Sequence, residues 1–142
     1  MREKEEAMDT IRKADYYYVT APDKPGEGAR IFGALRDAGV NLLAVHAFPS
    51  ARKSQIDVVP VDAAAFLMAA KSAGLKLSKP KTVFLIEGDD RVGAIASTLS
   101  RLGAAGINVT AVSAVRTGSG RYGGLLWVKA KDVRKAAETL GA

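Results

Sequence analysis

The sequence predicts an α+β protein built from two βαββαβ repeats, with antiparallel sheets and helices on one face. Three observations carry that prediction. The stretch DKPGEGARIFGALRDAGVNLLAV, Asp23 to Val45, is written a second time as DDRVGAIASTLSRLGAAGINVTAV, Asp89 to Val112. Residues 14–75 set against 81–142, an offset of 67, give 15 identities in 62 ungapped pairs. Within each copy, short β-branched or aromatic runs alternate with longer segments of helical apolar spacing, in the same order.

Each copy opens on a strand, Tyr16–Thr20 (YYYVT) in the first and Val83–Ile86 (VFLI) in the second. Turn residues follow, APDKPG and EGDDRVG, and then a helix. In the second copy Val92, Ile95, Leu99 and Leu102 recur three or four apart and make one apolar face. The first copy has the weaker stripe Ile31, Phe32 and Leu35, with Gly28 and Gly33 inside it. Each internal glycine costs roughly 1 kcal/mol relative to alanine, so we expect this helix to approach a neighbour closely. Gly39 and Gly106 stand where a glycine ends each helix. VNLLAVHAF and INVTAVSAV then read as strands, the loops PSARKS and RTGSGRYGG as connections, and QIDVVPV and LLWVK as strands. DAAAFLMAAKSAG and KDVRKAAETLG are alanine-rich helices, with Asp62 and Asp132 as caps or first-turn acids.

This order is the split βαβ, ferredoxin-like pattern. It divides the chain into a charged N-terminal segment, 1–13, a first repeat, 14–79, and a second repeat, 80–142. The first copy offers Leu75–Ser78 as a fourth strand; the second stops at Ala142, where its own should begin. An unpaired strand edge is a liability. We therefore expect the N-terminal segment Met8–Arg12, or a second chain, to fill the gap. Copies of this size have marginal cores alone.

Composition bounds the function. The 142 residues are 48% hydrophobic and 25% charged, with a net charge of +6 and no cysteine. Disulfides and thiolate metal sites are excluded, which fits a cytoplasmic protein. No apolar run reaches the ~18 residues of a membrane span, and the start MREKEEAMDTIRK lacks the apolar core of a secretory signal. The basic residues are scattered rather than gathered in a block.

The repeated residues point to a ligand chemistry. Gly26 and Gly93 lie at the mouths of helices, whose first N–H groups lack intrahelical partners and can hold an anion. Asp23 and Asp90, three residues earlier, can meet an ammonium group. Asn41 and Asn108 can donate to a carboxylate and accept from an ammonium. Together these groups suit a zwitterion such as a free amino acid. Turn-forming preference accounts for the same residues without a ligand, so both readings stand at this point.

At these residues the sequence resembles ACT domains, small βαββαβ regulatory modules attached to, or partnering with, enzymes of amino-acid metabolism. The resemblance runs through residues 14–142 in two copies. It implies effector binding where two such domains meet. By position, one site would take Asp23, Lys24, Pro25 and Gly26, the other Asp90, Arg91, Val92 and Gly93, with Asn41 and Asn108 each completing the opposite turn. It also implies a non-catalytic module without cofactor or metal and a metabolic enzyme as partner; the open strand edge leads us to expect a homodimer. The alternatives are a module that only pairs, with no ligand, a basic ferredoxin-like nucleic-acid binder, and an enzyme of the acylphosphatase type.

Other residues read as structural. His46, the only histidine, lies in a strand with no acid or nucleophile beside it in sequence. RTGSGRYGG lacks the order of a phosphate loop and joins strand to strand. Tyr16, Tyr17 and Tyr18 must point to alternate faces. Trp127 reads equally as core or interface.

Overall fold

The computed structural model describes residues 9–142; the run MREKEEAM, part of the charged N-terminal segment expected above, lies outside the described residues. The described chain holds six strands and four α-helices. They are β1 (Thr10–Pro22), α1 (Glu27–Asp37), β2 (Leu42–Ser50), β3 (Lys53–Pro60), α2 (Ala63–Ser72), β4 (Lys81–Asp89), α3 (Ala94–Ala104), β5 (Val109–Arg116), β6 (Arg121–Val128) and α4 (Val133–Leu140). The pairs β1–β3, β2–β3, β4–β6 and β5–β6 are antiparallel. The described chain divides into two compact units, a first one of Asp15–Lys81 and a second one of Thr82–Ala142 with residues 9–14.

In the first unit the strand order is β2-β3-β1. Alternation along β1 sends Tyr17, Val19 and Ala21 into a core with Ile31 and Leu35 of α1 and Phe66 of α2. Tyr17 and Phe66 meet with ring centroids 5.3 Å apart. Tyr18 points to the other face, under the Lys81 ammonium at 5.7 Å. The expected neighbour for the glycines of α1 is not found: a Cβ on Gly28 would meet nothing within 4 Å, and one on Gly33 only the end of Arg36.

Leu75–Ser78 forms no regular strand. Leu75 and Leu77 pack against the core, and a single residue carries the hydrogen bonding: the Ser78 amide donates to the Tyr18 carbonyl at 2.9 Å, and the Ser78 hydroxyl accepts from the Tyr18 amide at 3.0 Å. A hydroxyl thus replaces a backbone carbonyl, and Pro80 has no N–H to carry a ladder further.

In the second unit the order runs from the start of β1 through β4 and β6 to β5. The N-terminal residues therefore occupy the place of the missing last strand, and Ile11 enters a core with Phe84, Leu102, Leu126 and Leu140. The closing helix is shorter than expected. Ala130–Asp132 form a turn of 3-10 helix, and α4 follows. Gly39 and Gly106 end α1 and α3 with φ of 76° and 74°.

Candidate functional site

Both helix-mouth turns adopt one local design. Gly26 and Gly93 precede α1 and α3 with φ of 92° and 74°, the left-handed region that glycine enters without a Cβ clash. No side chain caps either helix start. Some first-turn amides are already engaged, Glu27 with the Lys24 carbonyl at 3.4 Å and Ala94 and Ala96 with the Arg91 and Gly93 carbonyls at 3.3 and 3.0 Å; the amides that remain and the positive end of the helix dipole favour an anion.

The turns differ in what surrounds them. At the first, Asp23, Lys24 and Pro25 are exposed. Asp23 accepts a 3.2 Å hydrogen bond from the Ser54 hydroxyl, and the Lys24 amide donates to the Pro22 carbonyl at 3.0 Å. Glu27 in the first helical turn is paired with Arg30 at 2.9 Å. The Asp23 carboxylate and the Lys24 ammonium both face solvent.

At the second turn the same positions are spent internally. Asp90 is bridged to Arg116 at 2.7 Å, and its amide donates to the Gly120 carbonyl at 2.9 Å. Arg91 turns away from the helix mouth. Its guanidinium spans the Asp9 carboxylate, Nη1 to Oδ1 at 3.0 Å and Nη2 to Oδ2 at 3.3 Å, and Nη1 also donates to the Asp89 carbonyl at 2.9 Å. The Tyr122 hydroxyl donates to the same carboxylate at 2.6 Å. The Asp9 contact raises the Arg91 pKa further above its usual value. Burial, then the hydrogen bond to Asp9, pushes the Tyr122 phenol up to about 12. Val92 is fully exposed.

Asn41 and Asn108 lie in the segments after α1 and α3, both exposed. The Asn41 side-chain oxygen accepts from the Leu42 amide at 3.0 Å, and its carbonyl accepts from Val61 at 3.0 Å. Each helix has 11 residues, which at 1.5 Å per residue is about 16 Å. Within one unit, turn and asparagine therefore stand at opposite ends of a helix and are not brought together.

Sequence reasoning missed two constellations. Asp9, Gly88 and Tyr122 were not linked to the turn, although a glycine inside a strand signals close approach of another group. The fold also sets His46 directly opposite Asp57 between β2 and β3, and Tyr18 opposite Asp57 between β1 and β3. The Asp57 carboxylate accepts from the Gln55 amide at 3.0 Å, and burial raises its pKa. No spacing rule reveals an acid that meets a histidine only across strands. Among the described residues no cluster of histidine, aspartate or glutamate is placed to hold a metal ion, and no helix is long and apolar enough to cross a membrane.

No protein-family model matches the chain, and no curated protein matches it. Solved structures do. Protein BT0572 from Bacteroides thetaiotaomicron superposes with a TM-score of 0.80 at 18% identity, over 92% of this chain and 88% of that one. The ligand-free regulatory subunit of aspartate kinase from Thermus thermophilus superposes at 0.60 with 16% identity, over 94% of each chain. The regulatory subunit from Thermus flavus does so at 0.58 with 17% identity, over 94% of this chain and 95% of that one. The chain has an ACT-like fold. At these identities the likeness is one of fold. The ACT-like frame places the repeated acid-to-glycine turns at the starts of α1 and α3, as the sequence resemblance implied.

Proposed function

We propose that the chain is a non-catalytic regulatory module of two ACT-like ferredoxin units, Asp15–Lys81 and Thr82–Ala142 with residues 9–14, that binds a free amino acid or similar small zwitterion. The observation that carries this reading is the first turn: an uncapped helix mouth at Gly26 beside an exposed Asp23 carboxylate and Lys24 ammonium. The amides meet the ligand carboxylate, and Asp23 meets its ammonium. Because Asn41 and Asn108 stand a helix length from the turn of their own unit, a complete site needs a turn from one ACT-like unit and an asparagine from another. The shared fold with aspartate kinase regulatory subunits supports a regulatory role and a metabolic enzyme as partner.

A second reading has a specific observation behind it. In the second turn Asp90 and Arg91 already serve Arg116 and Asp9, as they would in a module that pairs without a ligand. A thermal-shift screen of the twenty amino acids separates the two. On the ligand reading one or a few of them raise the melting temperature, by the equivalent of about 2.7 kcal/mol at a hundredfold excess over Kd. Asp23→Ala and Asn108→Ala abolish the rise. No response to any amino acid leaves the structural reading standing.

A further inference from the structure

We propose that Gly88, Arg91 and Tyr122 form a carboxylate receptor, and that Asp9 occupies it as a built-in ligand latching the N-terminal strand into the second unit. The three groups come from β4, the turn after it and β6, and they converge on one carboxylate. Arg91 presents its planar fork to both oxygens at 3.0 and 3.3 Å. Tyr122 adds a short charge-assisted bond at 2.6 Å to Oδ2. Gly88 supplies the room: a Cβ there would run into the Asp9 carboxylate and crowd the Tyr122 ring. The Asp9 side chain is only 4% exposed and Arg91 29%, so the carboxylate is shielded from solvent and the guanidinium partly so. An ion this deeply placed is stabilised only when its lone pairs are met, and the Asp9 carboxylate receives three hydrogen bonds from two side chains.

The receptor is particular to the second unit. At the repeat offset of 67, Gly88 corresponds to Ala21, Arg91 to Lys24 and Tyr122 to Gln55. Ala21 carries the Cβ that Gly88 lacks, Lys24 has no planar fork, and Gln55 donates to Asp57 instead. The first unit keeps its chain continuous through Leu75–Ser78 and has no detached strand to fasten. The second unit recruits its strand from the other end of the sequence, and the latch sets the register of that strand against β4. Arg91 can fork only one carboxylate at a time, so the docked strand and an external carboxylate at this guanidinium exclude one another. The latch stands independently of the amino-acid reading, which rests on the first turn.

Chemical rescue tests it. Asp9→Ala empties the receptor. The expected result is a lower melting temperature and amide exchange in residues 10–14 faster by about tenfold or more, the worth of one charge-assisted hydrogen bond. Acetate, compared with chloride at matched ionic strength, restores part of both. The rescue disappears when Arg91→Ala is added. Asp9→Asn, which keeps the shape, speeds exchange in the same residues and gives a readout should Asp9→Ala fold poorly. Acetate raising the wild type and Asp9→Ala alike, or residues 10–14 exchanging equally slowly in Asp9→Asn and wild type, overturns the proposal.

Discussion

At the scale of single residues, the chain places charges where their surroundings give each a different cost. Lys24 and Arg91 occupy equivalent positions, yet one ends in solvent and the other in a fork around Asp9. Asp57 is 4% exposed, facing Gln55 on its own strand, His46 from β2, and Lys81 and Tyr18 from its other side. Desolvation outweighs these partners and holds its pKa above the ordinary 3.8. The folded protein therefore favours the protonated acid. This contribution to stability is full below 3.8 and is lost as pH rises through the folded value. Asp57→Asn keeps an acceptor for Gln55 and carries no charge. We expect it to be more stable than wild type at neutral pH, with the gain vanishing as pH falls through the carboxylate range. Urea melts at several pH values check this; a variant less stable at pH 7 would refute it. Asp57 is an acid in a strand to anyone reading the sequence, and only strand pairing reveals the histidine opposite.

At the scale of elements, equivalent segments solve the same problem differently. Asp62 caps α2, its carboxylate accepting from the Ala65 amide at 3.2 Å. Asp132, which precedes α4, makes no such bond, because the 3-10 turn Ala130–Asp132 gives it helical rather than extended backbone, with φ of −101° and ψ of −3°. Asp62→Ala should cost about 1 kcal/mol, and Asp132→Ala close to nothing; equal losses in denaturant melts would show that neither acid acts as a cap. The first three helices, the glycine ends of α1 and α3 and the Asp62 cap were legible in advance, since each rests on contacts only a few residues apart; α4 starts later than expected, after the 3-10 turn. The strand expected at Leu75–Ser78 was not. Its alternating pattern is real and half-buries both leucines, but the Ser78 hydroxyl stands in for a backbone acceptor and Pro80 supplies no donor, so no regular ladder forms.

At the scale of the molecule, the basic charge finds no stacking platform on β3 or β6. Tyr122 and Trp127, the aromatics of β6, are buried at 5% and 8% exposure, and β3 carries none, so neither strand offers bases a surface. The homodimer we propose has a physical motive in the outermost strands. β2 and β5 end the strand order of their units and expose Leu43, Val45, Val112 and Val115. An apolar edge of unpaired amides and carbonyls is a template for another chain. Light scattering at high micromolar concentration should give a dimer that Val45→Lys or Val112→Lys weakens; a wild-type monomer throughout would end the proposal. By itself the sequence determined the element order, the repeated turns and the helix ends, because periodicity, glycine and proline act locally. The tertiary structure alone decided that residues 9–14, and not a second chain, complete the second unit, that Arg91 forks Asp9, and that Asp57 meets His46. Those depend on which distant segments share a sheet, and a hydrogen bond between residues 82 apart leaves no mark in local spacing.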